Sequence, residues 1–155
     1  MDDNIEKLKQ MVGRCRVGML GIPSEGGNLH FSPMSHVDID DDGNLWFFTS
    51  KETSKELGPK NNANIHITYT QESNSLFLSI EGTAHLNANK EKMRELFNPY
   101  VKAWFPKGLD DPAISLLVVE PKEVEYWTSD DRKILTYNKM LATDNSEKNI
   151  SQNGL

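Results

Sequence analysis

The amino-acid sequence predicts a mainly β fold: an antiparallel barrel, closed or partly open, with peripheral helices at its corners. Two observations lead there. About six strand-like runs follow one another at regular spacing, joined by short polar or Gly-containing turns. Clear helical periodicity is confined to the first dozen or so residues and one later stretch, so helices can only decorate the sheet.

The elements follow in order. Ile5, Leu8, Met11 and Val12 recur at helical spacing and predict a short amphipathic first helix. RVGMLGIP is an apolar run that ends in a turn at Ser24 to Gly27, a strand entering a hairpin. The return strand, LHFSPMSHVDID, alternates. Phe31, Pro33, Ser35, Val37 and Ile39 fall on one face; His30, Ser32, Met34, His36 and Asp38 fall on the other. The first face is expected to point into the barrel. Asp40 to Gly43 turns the chain into LWFFTS, apolar on both faces, the pattern of a strand buried on both sides. Thr53-Ser54-Lys55-Glu56 fits a capping box, with Gly58-Pro59 ending a helix of little more than one turn. NIHITYT and LFLSIEGTAHLN are two further strands around the polar turn QESNS. A helix is expected near Lys90 to Phe97, followed by the irregular stretch NPYVKAWFPKGLDDP. ISLLVVEP and EVEYWTS read as one long bent strand, or two broken at Pro121. From about Asn138 the chain is polar and rich in Asn, Ser and Lys. The expected organisation is one domain over residues 1–137 and a disordered or weakly docked tail over 138–155.

At 155 residues the chain suits one domain that can bury a core without disulfides or metals. Its 17 basic and 23 acidic residues leave a net charge of −6, which argues against general nucleic-acid binding, since that relies on Lys and Arg neutralising phosphates. The single cysteine, Cys15, allows no intrachain disulfide and favours a reducing compartment. The charged, helical N-terminus is unlike a signal peptide, and no apolar run is long enough to cross a bilayer. A cytoplasmic protein without membrane partners is the expectation.

Candidate chemistry is concentrated in a few places. Thr49 to Lys55, TSKETSK, brings hydroxyls and lysines to a helix start, where free N–H groups and the helix dipole suit an anion. An ordinary cap with solvated lysines fits equally well and is the commoner arrangement. The strand face carrying Ser32, Met34 and His36 reads either as a solvent face or as an edge against which a planar heterocycle packs, with methionine on the ring. Trp104 and Trp127 are candidates for stacking or for packing. The histidines at 30, 36, 66 and 85 lack ligand spacing, so no metal site is expected. Neither a nucleophile elbow nor a Gly-rich dinucleotide loop is present. No residue is assigned a catalytic role.

Taken in order, several pieces resemble the general stress protein 26 family, within the flavin-binding split barrels related to pyridoxamine 5'-phosphate oxidase. They are Pro33-Met34, DGNLWFFTS, a Lys-containing turn, NIHITY, IEGTAHL, WFPKGLDDP, LLVVEP and EYW, and they span roughly Ile5 to Trp127. The resemblance implies a six-stranded antiparallel split barrel of the FMN-binding type. It also implies a homodimer with FMN in each of two clefts between subunits. By that resemblance Ser32, Pro33, Met34 and Ser35 lie along the isoalloxazine ring, and Thr49 and Ser50 approach it from the next strand. Ser54 and Lys55 would hold the phosphate, and Trp104 of the partner would cover the ring. Family members commonly carry an arginine directly before the Pro-Met pair. Here that position is Ser32, which shifts the expected phosphate contacts to Lys51 and Lys55. The implied activity is that of an FMN-dependent oxidoreductase or flavin reductase of unstated substrate. The alternatives are a non-enzymatic flavin-binding, storage or stress-sensing protein, or a barrel that has lost FMN.

Overall fold

The alternating stretches of the chain pair into a single curled antiparallel sheet. The computed structural model describes residues 3–24, 26–53, 57, 62–130, 132–136 and 147–150. Within them lie α1 (Asp3–Gly13), β1 (Gly18–Pro23), β2 (Leu29–Met34), β3 (His36–Ile39), β4 (Leu45–Ser50), β5 (Ala63–Gln71) and β6 (Leu76–Asn87). Then follow α2 (Lys90–Leu96), α3 (Pro99–Trp104), β7 (Ile114–Trp127), β8 (Arg132–Thr136) and β9 (Glu147–Ile150). The main path runs β2-β1-β5-β6-β7-β4-β3, with β8 pairing β7 and β9 pairing β8. β2 and β3 stand at opposite ends of that path, yet only Ser35 separates them in the chain. The sheet must therefore curl until its two edges meet, which makes it a split barrel.

Where six strands were expected, the described residues form nine. The long return strand is divided at Ser35 into β2 and β3, and a further hairpin, β8–β9, follows β7. β7 itself runs unbroken through Pro121. A register shift between Glu81 and Gly82 on β6 absorbs the proline, which has no N–H for the ladder. At that point the backbones approach so closely that a Cβ on Gly82 would stand 2.2 Å from the Glu120 carbonyl oxygen.

Two cores result. The barrel interior gathers Leu20, Ile22, Leu45, Phe47, Ile65, Ile67, Tyr69, Leu78, Ile80 and Leu117, and α1 adds Leu8, Met11 and Val12. Each such aliphatic or phenylalanine side chain stabilises the fold by about 1.5–3 kcal/mol relative to exposure. A second cluster on the outer side joins Phe48, Ile114 and Leu116 to Met93 of α2 and Val101 of α3. β4 lies between the two clusters, as its two-sided apolar pattern predicts.

One expectation is reversed in part. Ile39 packs against the barrel core as expected, but Phe31 is about half exposed, at 48%, Val37 packs against the outer cluster, and Met34 from the other face packs against the barrel core. The break at Ser35 and the register shift between His36 and Asp38 change the parity that simple alternation assumes. The phenyl ring of Phe31 lies over Gly21 on the outer surface, where an added Cβ would meet it at 2.6 Å. The cross-strand pairs Met19–Pro33, Gly21–Phe31 and Pro23–Leu29 thus form one apolar outer strip. No described helix is long and apolar enough to cross a membrane.

Candidate functional site

A cleft of about 1030 Å³ opens where the two edges of the sheet meet. Pro33, Met34, Ser35, His36 and Val37 line it from the β2–β3 junction. Phe48, Thr49 and Ser50 line it from the C-terminal end of β4, and Cys15, Arg16 and Val17 from the connection between α1 and β1. α3 forms the remaining wall with Tyr100, Val101 and Trp104. Among the described lining residues Arg16 is the sole cation, and none carries a carboxylate.

Local physics sets each wall. Asn98 caps α3: its side-chain oxygen accepts from the N–H groups of Tyr100 (2.9 Å) and Val101 (3.1 Å), and Pro99 occupies the first turn. Val101 then packs down on the outer core, which leaves Tyr100 and Trp104, one helical turn apart, 75% and 77% exposed. At the end of β4 the hydroxyls of Thr49 and Thr53 share a 2.9 Å hydrogen bond, and the Ser50 hydroxyl accepts from the Glu52 N–H at 3.2 Å. Both β4 hydroxyls are thereby held at the cleft rim.

Behind the lining residue His36 stand two aromatic rings. His36 meets Phe47 and Tyr69 edge to face, with ring centroids 6.5 and 5.9 Å apart, and its Nδ1 lies 3.4 Å from the Tyr69 hydroxyl. Burial pushes the His36 pKa below the ordinary value, against a smaller opposite pull from Asp38. Burial pushes the Tyr69 phenol up, with the nearby Cys15 adding to it. The Cys15 thiol is likewise raised by burial, which Arg14 partly offsets, and its Sγ lies 3.6 Å from the Met11 carbonyl. These groups are therefore an imidazole, a phenol and a thiol near neutral pH, all uncharged.

Of the residues singled out in the sequence, Pro33, Met34, Ser35, Thr49, Ser50 and Trp104 line this one cleft. Ser32 does not; it pairs with Leu20 on β1 and is half-buried. Lys51 is exposed beside the cleft rather than in it, its N–H donating to the Ala113 carbonyl at 2.7 Å. Ser54 and Lys55 lie outside the described residues. Trp104 was expected from a partner chain; here the chain's own Trp104 lines its own cleft. His36, named in the sequence on the strand face with Met34, also lines the cleft, whereas sequence reasoning missed Arg16 and Tyr100. Asn98-Pro99 was the available signal for α3, since Asn followed by Pro marks a helix start.

The architecture and the cleft define the class: a split β-barrel with a cleft at the seam of its sheet. The profile of the family described as pyridoxamine 5'-phosphate oxidase like matches residues 3–150, and the chain belongs to that family. General stress protein 26 of Bacillus subtilis is 28% identical over 132 residues, covering 82% of this chain and 90% of the relative. A general stress FMN/FAD binding protein from Xanthomonas citri superposes with a TM-score of 0.66 at 29% identity, covering 80% of this chain and 87% of its own. A protein related to general stress protein 26 from Clostridium acetobutylicum shares the fold, with a TM-score of 0.72 at 19% identity over 88% of this chain and 96% of the other.

Proposed function

We propose that the cleft binds FMN and that the chain works as a homodimeric flavoprotein, an FMN-dependent oxidoreductase or flavin reductase, with a second copy closing each cleft. The observation that carries this reading is the convergence of Pro33–Met34–Ser35, Thr49–Ser50 and Trp104 on one cleft. Its volume of about 1030 Å³ suits a cofactor rather than a small metabolite, at the upper end of the roughly 300–1,000 Å³ of typical ligand sites. The donor set fits as well. Met34 and the exposed rings of Tyr100 and Trp104 suit a large planar ring, and the hydroxyl-bearing end of β4 suits a phosphate. The similarity to the Xanthomonas citri FMN/FAD binding protein supports the same ligand class.

In this reading Pro33, Met34 and Ser35 run along the ring, and Thr49, Ser50, Lys51, Ser54 and Lys55 serve the phosphate end. Trp104 covers the ring. Bound FMN would supply the electron transfer; the chain supplies orientation, hydrogen bonds and exclusion of water. The apolar strip of Met19, Leu29 and Phe31, which reaches the cleft through Val17 and Pro33, supports a second copy as the closing partner.

A second reading is a flavin carrier without a substrate of its own, since the redox chemistry belongs to the flavin and the chain need only bind it. Titration of the purified protein with FMN, followed by quenching of flavin fluorescence and with FAD as competitor, tests the binding claim. Saturable quenching at one FMN per chain is expected, and no quenching at micromolar protein would overturn it. Oxidation of NADH or NADPH by the loaded protein with a dye acceptor separates the enzyme from the carrier.

A further inference from the structure

His36 opens β3 directly after Ser35, at the point where the two ends of the sheet come together, and it lines the cleft. Its ring is confined by the edges of Phe47 from β4 and Tyr69 from β5, so its plane is set by the barrel rather than by solvent. Tyr69 is 1% exposed, and a buried hydroxyl needs a hydrogen-bond partner; among the described residues Nδ1 of His36, at 3.4 Å, is that partner. A protonated phenol donating to Nδ1 places the imidazole proton on Nε2. Nε2 makes no hydrogen bond to another described residue. The charged and titratable groups around the ring are few. β3 brings Asp38, the α1–β1 connection brings Cys15 and Arg16, β5 brings Tyr69 and α3 brings Tyr100. β4 contributes Phe47 and Thr49, neither of which titrates.

We propose that His36, as neutral imidazole, donates a hydrogen bond from Nε2–H to the polar edge of an uncharged planar heterocycle in the cleft, with Tyr69 as the positioning residue that selects this tautomer. The inference rests on the flavin reading above and deepens it, because it assigns a specificity-determining group to the ring end of the site. It distinguishes His36 from a histidine that merely fills space between two aromatic rings. A heterocycle bound against the Nε2 edge removes further water from the imidazole and disfavours the imidazolium, and protonation also takes away the acceptor that Tyr69 uses. Binding is then coupled to loss of a proton. Affinity should fall as pH drops through the pKa of His36, which lies below 6.5 in the free protein.

Riboflavin is the probe, because the FMN phosphate titrates near pH 6 itself. For the wild type, riboflavin affinity is expected to weaken at least threefold between pH 7.5 and a pH one unit below the His36 midpoint read by NMR. His36→Phe should bind about tenfold more weakly at pH 7.5 with no slope. His36→Gln, which keeps a donor but cannot titrate, should recover most of the affinity and remain flat. The wild type alone gives a check independent of any variant's folding. The NMR titration midpoint of the His36 ring should lie below 6.5 and move lower when riboflavin binds. An unmoved midpoint in a protein that does bind riboflavin, or the same pH slope in His36→Phe, would overturn the role of His36 and leave the flavin reading intact. If neither FMN nor riboflavin bound at pH 7.5, the flavin reading would fail first and this inference with it.

Discussion

Arg16 and Ser32 show how a single side chain alters what the cleft can hold. By family resemblance an arginine is expected before Pro33-Met34, and serine cannot make the bidentate contacts of a guanidinium with an anion. Ser32 is also absent from the cleft lining and pairs with Leu20. Arg16 is the cation among the described lining residues, two residues before β1 begins. If it answers the phosphate, Arg16→Ala should weaken FMN by about 1.5–3 kcal/mol, the worth of a hydrogen bond to a charged group, or roughly tenfold to a hundredfold. Riboflavin, which has no phosphate, should bind the variant as it binds the wild type. Parallel titrations of the two flavins measure the difference. Equal losses for both would place Arg16 at the ring, and no loss for either would remove it from the site.

Among the elements, the β3–β4 turn is the clearest case of a side chain holding two strands in register. The Asp40 carboxylate accepts from the Asp42 N–H (3.0 Å), the Asn44 N–H (2.9 Å), the Asn44 amide (3.1 Å) and the Trp46 indole (2.9 Å). Partial burial by itself would raise its pKa; the hydrogen bonds outweigh that and hold it below the ordinary 3.8. A folded pKa below the unfolded one means that this stability is present above about pH 4 and is lost as pH falls through the folded value. Asp40→Ala should cost about 1–3 kcal/mol at pH 7, with a Tm lower by about 2–4 °C for each kcal/mol. The gap between variant and wild type should narrow by pH 3, which thermal melts at the two pH values would reveal; an equal gap at both would contradict the charge argument. The turn and β4 were legible in the sequence because Asp40 to Gly43 and LWFFTS are strong local signals. α3 was not, since six residues are too few for periodicity and only Asn98-Pro99 announced it. The inner face of β2 was misread because parity depends on the break at Ser35, which no local propensity reveals.

For the molecule as a whole, the antiparallel sheet was readable because alternation or a short apolar run between turns marks each main strand, whereas the cleft was readable only in pieces. Its walls come from segments as distant as Cys15 and Phe105, and only the meeting of β2 and β3 at the seam brings them together. The same seam leaves apolar surface uncovered. Phe31 and Leu29 stand on the outer strip of β1–β2, and Tyr100 and Trp104 stand on α3 across the cleft from Pro33 and Val17. A stable dimer buries about 1,200–2,000 Å² in total, with aromatic residues at its centre, and a surface of this composition suits that demand. A lysine at the centre of such a contact would have to be desolvated without a partner, at a cost of several kcal/mol. Phe31→Lys should therefore be monomeric in sedimentation at micromolar concentration. It should still fold, since Phe31 is already half exposed in the single chain, and its melting temperature should fall only by what the lost subunit contact contributed. If each flavin needs two chains, FMN affinity should fall at least tenfold in the same variant. A folded Phe31→Lys monomer that binds FMN as tightly as wild type would show that one chain completes the cleft, with its own Trp104 as the cover.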